Sequence, residues 1–164
     1  MRKLSSVTAL LVLLTIGLAA QPANLPNSWV GAGVTWNQYA SPQVSGVAVY
    51  AHKLAGTNYP TYSWTAIDFI SLKTSPFTLA TTTETGIGQY ITSFGAFDLY
   101  GIGAAGITTS ASGDGTTVGS AFSGGGMAVA KLGKGWTVSP VVRIIRPANS
   151  GNQWAVGLII GWGK

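Results

Sequence analysis

The sequence contains no cysteine. That excludes thiolate metal sites, redox pairs and a disulfide framework. It has one histidine, His52, and four acids, Asp68, Glu84, Asp98 and Asp114. One imidazole and four dispersed carboxylates make no metal-ligating cluster, so no metal and no cofactor is expected. Charge is scarce as well. Asp, Glu, Lys and Arg make up 8% of the chain, and residues 4–52 contain none of them, whereas about 25% is usual in a soluble domain. Charge-driven disorder and a coiled coil are thereby excluded. Long apolar runs are also missing: after residue 20 none reaches 18 residues, so no transmembrane helix is expected there.

What is present is apolar content and glycine. Apolar residues are 46% of the chain, and 23 of its 164 residues are glycine. The length suits one domain. The N-terminus begins with Arg2 and Lys3, continues with the apolar run Val7–Leu18, and ends in small residues at Gly17, Ala19 and Ala20. This is the three-part pattern of a cleavable secretory signal peptide over residues 1–20. No cysteine follows it, which excludes a lipoprotein. Residues 21–27 form a short N-terminal segment, and 28–164 the folded domain. Beyond Arg2 and Lys3, seven basic residues stand against four acids, and they are scattered along the sequence. Nucleic-acid binding needs a clustered basic face, and none is expected.

A strongly apolar chain without a spanning helix has one remaining membrane solution, the closed β-barrel. Its sequence signature is alternating segments of about ten residues separated by turns. The last segment shows it most clearly. Trp154, Val156, Leu158, Ile160 and Trp162 fall on one face, and Gln153, Ala155, Gly157, Ile159, Gly161 and Gly163 on the other. At about 3.4 Å per residue and a tilt of about 40°, the large-residue face spans roughly 20 Å. Trp136, Val138, Pro140, Val142 and Ile144 repeat the pattern and place Arg143 on the opposite, lumenal face. Val30, Ala32, Val34 and Trp36 do so again. Turn clusters at Ala40–Pro42, Ser75–Pro76, Ser112–Thr117, Gly133–Gly135 and Pro147–Asn152, with further breaks at residues 54–60 and 91–96, divide residues 28–164 into eight segments. The run Gly124–Gly126 predicts a bulge or sharp bend. The expected fold is all-β: an eight-stranded, antiparallel, up-and-down transmembrane barrel.

With these segments in place, the chain resembles the small eight-stranded outer-membrane β-barrel proteins, the class of OmpX and the transmembrane domain of OmpA. The resemblance covers about residues 28–164. Its sharpest local element is the C-terminal assembly signal of that class. Gly157, Ile160 and Trp162 fit it, while Ala155 stands at its polar position and Gly163 and Lys164 follow the aromatic residue. The resemblance implies residence in the outer membrane, with membrane lipid and the barrel-assembly machinery as partners.

Mid-strand charges should point inward, because Lys or Arg on the lipid face costs roughly 2–4 kcal/mol at the midplane. Asp68, Glu84, Asp98, Lys131 and Arg143 are therefore expected to form a lumenal polar network. Trp29, Trp136, Trp154 and Trp162, with Tyr39, Tyr50, Tyr59 and Tyr62, are expected in aromatic girdles at the lipid headgroups. Gly101–Gly106 matches G-x-G-x-x-G, but no acid follows at 121–126 and a strand follows instead of a helix. Its glycines are expected to line a narrow lumen. His52 has no adjacent serine in the sequence, and a catalytic histidine needs an orienting acid. The expected function is a structural or membrane-integrity role without enzymatic activity, as a monomer with at most a very narrow channel. The alternatives are an exported soluble barrel holding a small apolar ligand, in the periplasm or secreted, and a lipid-modifying barrel enzyme with His52 as base.

Overall fold

In a computed structural model of the chain, residues 21–22, 26–37, 44–74, 77–148 and 151–164 are described. The signal-peptide expectation for 1–20, and Tyr39, lie outside them. Eight long strands follow one another: β2 (Ser28–Asn37), β3 (Val44–Lys53), β4 (Thr61–Thr74), β5 (Phe77–Phe94), β6 (Phe97–Ser112), β7 (Gly115–Gly133), β8 (Trp136–Pro147) and β9 (Gln153–Gly163). Each pairs antiparallel with its sequence neighbour, and β9 pairs with β2, so the sheet closes on itself. The molecule is an eight-stranded antiparallel barrel. A ninth, two-residue strand, β1 (Gln21–Pro22), lies against Lys131 and Ala130 of β7. It occupies the edge of β7 beyond Val129, where pairing with β6 ends at Asp98.

The hairpins follow from local chemistry. Lys134 and Gly135 both have positive φ, 50° and 82°, as a two-residue type I′ turn requires. With Gly95–Ala96 and the Leu54–Pro60 connection, this turn lies at the same end as Ser28 and Lys164, called here the terminal end. Ser28 and Lys164 exchange backbone hydrogen bonds there. The opposite end carries the Gly113–Asp114 turn and the connection from β8 to β9.

Register shifts occur at Phe69/Ser71, Tyr90/Thr92 and Lys131/Gly133. None occurs at Gly124–Gly126, which pair continuously with β6 and β8. The expected bulge there is corrected. Gly125 is small because a Cβ on it would lie 2.1 Å from the carbonyl oxygen of Val142. Gly101 and Gly103 also depart from expectation. Tyr100 and Ile102 are buried inside and Ala104 packs against the same core, so strand alternation places the two intervening glycines on the outer face. Gly106, by contrast, sits inside, where a Cβ would meet the Thr83 carbonyl oxygen at 1.9 Å.

Candidate functional site

The interior of the barrel is filled by side chains, and it divides into two halves. The terminal half is apolar and aromatic. Trp29, Tyr62, Trp64, Tyr100, Met127 and Val129 are all 3% exposed or less and belong to one core cluster. Trp29 stacks on Trp64 with ring centroids 6.4 Å apart. Tyr62 and Tyr90 each meet the Tyr100 ring edge-on, at 5.8 and 5.9 Å. Trp29 Nε1 donates to Thr137 Oγ1 at 2.8 Å, reaching over β9 to β8.

The other half is polar. Arg143, projecting inward from β8, donates through Nη2 to both carboxylate oxygens of Asp68 on β4. Its Nη1 donates to Glu84 Oε2 on β5 at 3.3 Å, an oxygen that also accepts from Ser123 Oγ at 2.8 Å. All three ionisable side chains are buried. Burial of charge in a low-dielectric interior is tolerated only with such pairing. Glu84 Oε1 has no hydrogen-bond partner among the described residues. Towards the opposite end, Thr35 with Ser45 and Thr82 with Thr108 form hydroxyl pairs at 3.0 and 3.1 Å.

Of the five residues expected in one network, Asp68, Glu84 and Arg143 meet. Asp98 is buried but lies in the terminal half, where Ser93 Oγ donates to it and Tyr90 contacts Ser93 at 2.9 Å. Lys131 is exposed beside the β7–β8 turn and takes no part. Its position so close to the strand end lets the ammonium stay in water.

The girdle expectation is corrected at Trp29 and Tyr62, which are lumenal. Both lie on the face opposite the exposed large residues of their strands. Trp136, Trp154 and Trp162 are on the outer face, and Trp36 and Tyr50 join them there. Trp136 pairs with Trp162 near the terminal end. Trp36 lies beside Val156, and Trp154 beside Ile144, near the other. Between these two levels the outer face of β8, β9, β2 and β3 is lined by Val142, Val156, Leu158, Ile160, Val30, Val34 and their neighbours. On β4 and β5 it is richer in threonine, and Thr65 and Thr85 pair their hydroxyls at 3.4 Å. Among the assembly-signal residues, Gly157 faces inward, 2.4 Å from Val34 O if given a Cβ, while Ile160 and Trp162 face outward.

His52 lies on the outer face at the terminal end. Its Nδ1 is 3.0 Å from Ser28 Oγ, a contact formed because Ser28 and His52 are register partners on β2 and β3. Sequence adjacency could not show this serine. No orienting acid accompanies the pair: Asp68, Glu84 and Asp98 are buried inside the barrel, and Asp114 sits in a turn at the opposite end. The described residues contain no group of three or more His, Cys, Asp or Glu suited to a metal.

No protein-family model matches the chain. No curated protein matches it either. Among solved structures it is similar to a de novo designed transmembrane β-barrel, at 13% identity and a TM-score of 0.45 over 84% of this chain and 98% of that one. It is also similar to Ail, the attachment invasion locus protein of Yersinia pestis, at 10% identity and a TM-score of 0.44 over 82% and 96%.

Proposed function

We propose that the barrel spans the outer membrane as a monomeric structural protein with a closed lumen, contributing to membrane integrity without enzymatic activity. One observation carries this reading. Between the Trp136/Trp162 level and the Trp36/Trp154 level, the outward positions of the described strands carry no charged side chain, while Asp68, Glu84 and Arg143 all project into the interior. A water-soluble barrel inverts that arrangement, with charge outside and an apolar pocket inside. The large exposed outer residues (Val34 at 56%, Ile160 at 52%) suit hydrocarbon, and Trp at both levels suits the two headgroup layers. The filled interior argues against a diffusion pore, since eight strands enclose only enough room for side chains. Gly157, Ile160 and Trp162 would then be read by the assembly machinery during insertion.

Cell fractionation tests the proposal. The protein should remain in urea-washed membranes and migrate faster on a detergent gel before boiling than after. Recovery in the soluble fraction without detergent would overturn it.

A further inference from the structure

Barrel closure gathers lysines that the sequence scatters. Lys53 ends β3, Lys131 and Lys134 flank the end of β7, and Lys164 follows β9, so all four stand at the terminal end, and all four are exposed. No exposed acidic side chain accompanies them among the described residues, because Asp98, the acid nearest that end, is buried and hydrogen-bonded. The opposite end carries Lys73, Arg146 and Asp114. The barrel is thus strongly cationic at one rim only.

Within that rim lies an open recess of about 550 Å³, lined by the β3–β4 connection together with Asn27, His52 and Lys53. Its polar side chains include the Lys53 ammonium, the His52 ring and the Asn27 and Asn58 amides, and no carboxylate lines it. His52 is held through Nδ1 by Ser28, which leaves Nε2 as the ring's second hydrogen-bonding atom. Directly above, Tyr50 shares the outer face with His52, two residues along β3, and Leu54 and Tyr59 are exposed beside it. On β9, the Lys164 ammonium lies 5.7 Å over the Trp162 ring, a cation–π contact that sets an amine at the lower edge of the aromatic level.

The geometry points to a binding site for the phosphate of an anionic phospholipid headgroup in the recess of Asn27, His52, Lys53 and Asn58, within a lysine rim that favours anionic lipid at the terminal end. Ammonium, ring and amide donors match phosphate oxygens. The apolar and aromatic surface immediately above matches the start of an acyl chain, which free phosphate lacks. Lysines beside an anionic lipid surface attract it, each by up to about five-fold.

This inference rests on the bilayer placement proposed above. The full chain is therefore inserted into phosphatidylcholine vesicles first, and the heat-dependent gel shift scores insertion separately. Failure to insert would count against the bilayer placement. Inserted protein is then mixed with spin-labelled phosphatidylglycerol or phosphatidylcholine, and the motionally restricted lipid fraction is measured. Phosphatidylglycerol should be preferred several-fold. Lys53→Gln should lower that preference, Lys53→Gln with Lys134→Gln should lower it further, and Arg146→Gln at the other end should leave it unchanged. Equal retention of both lipids, or a preference unmoved by Lys53→Gln in a barrel that still shows its gel shift, would overturn the site. Inorganic phosphate should not displace the lipid at matched concentration; if it displaced it equally well, the site would be one for free phosphate and the lipid assignment would fall.

Discussion

The indole of Trp29 fills the space that a side chain on Gly161 would need. A Cβ built on Gly161 lies 2.3 Å from three atoms of that ring, and one on Gly31 lies 2.8 Å from another. Glycines on β2 and β9 therefore clear a pocket at the seam where the barrel closes, and Trp29 enters it to reach Thr137 and Trp64. Gly161→Ala should destabilise the barrel by about 1–3 kcal/mol through overpacking. Trp29→Ala should cost about 3–5 kcal/mol through the cavity it leaves. In the double variant the alanine at 161 grows into vacated space, so the two losses should fall short of additive. Urea unfolding followed by fluorescence of the remaining tryptophans measures all three.

A second prediction concerns the buried ions. Arg143→Met leaves Asp68 and Glu84 facing each other in the interior without their cation, a loss of about 3–5 kcal/mol. Replacing all three together, as Arg143→Met, Asp68→Leu and Glu84→Met, removes the uncompensated charge and should recover most of that stability, since apolar groups of similar volume substitute well for buried ion pairs. A triple variant no more stable than Arg143→Met would show that the ion cluster itself, and not its desolvation, holds this half together.

How far such features could be seen in the sequence depended on what alternates. On β8 and β9 large apolar residues face one way without interruption, so the neighbours of Arg143 alone put it inside. Near the start of β4 the polarity is reversed: Thr61, Ser63 and Thr65 face outward while Tyr62 and Trp64 face inward. Hydrophobicity alone cannot orient that segment, yet Asp68, four residues after Trp64 and therefore on the same face, could have drawn both aromatics inside. Position near a strand end points Trp29 to a girdle, although alternation from Val30 puts it with Gly31 on the inner face. The Ser28–His52 contact and the lysine rim depend on strand register and barrel closure. Neither leaves a trace in local sequence.

The interior also predicts electrical behaviour. Trp29 and Trp64 stack across the terminal half and leave no exposed surface beyond 1%. The wild-type barrel should therefore be almost non-conducting in a planar bilayer. Trp29→Ala with Trp64→Ala removes both rings and should give discrete conductance steps, whereas Trp136→Ala on the outer face should not. A double variant that remains folded, by its gel shift, and still shows no conductance would mean that the remaining tyrosine cluster is sufficient to close the lumen.

Depth in the bilayer gives the sharpest separation between a membrane wall and a soluble one. Leu158 lies midway along the outer face of β9, with Val34 and Pro140 as its register partners, while Trp162 lies near the terminal edge of the same face. Arginine or lysine at the midplane of a lipid-facing wall costs about 2–4 kcal/mol, falling to about 0–1 near the interface. Leu158→Arg should therefore destabilise the vesicle-inserted barrel by several times more than Trp162→Lys loses in charge burial. Trp162→Lys also loses the ring contact with Lys164, so Trp162→Ala is the reference for that position. If the outer face met water instead, Leu158→Arg would be tolerated or would raise solubility, and the difference between the two depths would vanish. Equilibrium unfolding of the four proteins from the same vesicles decides between these outcomes.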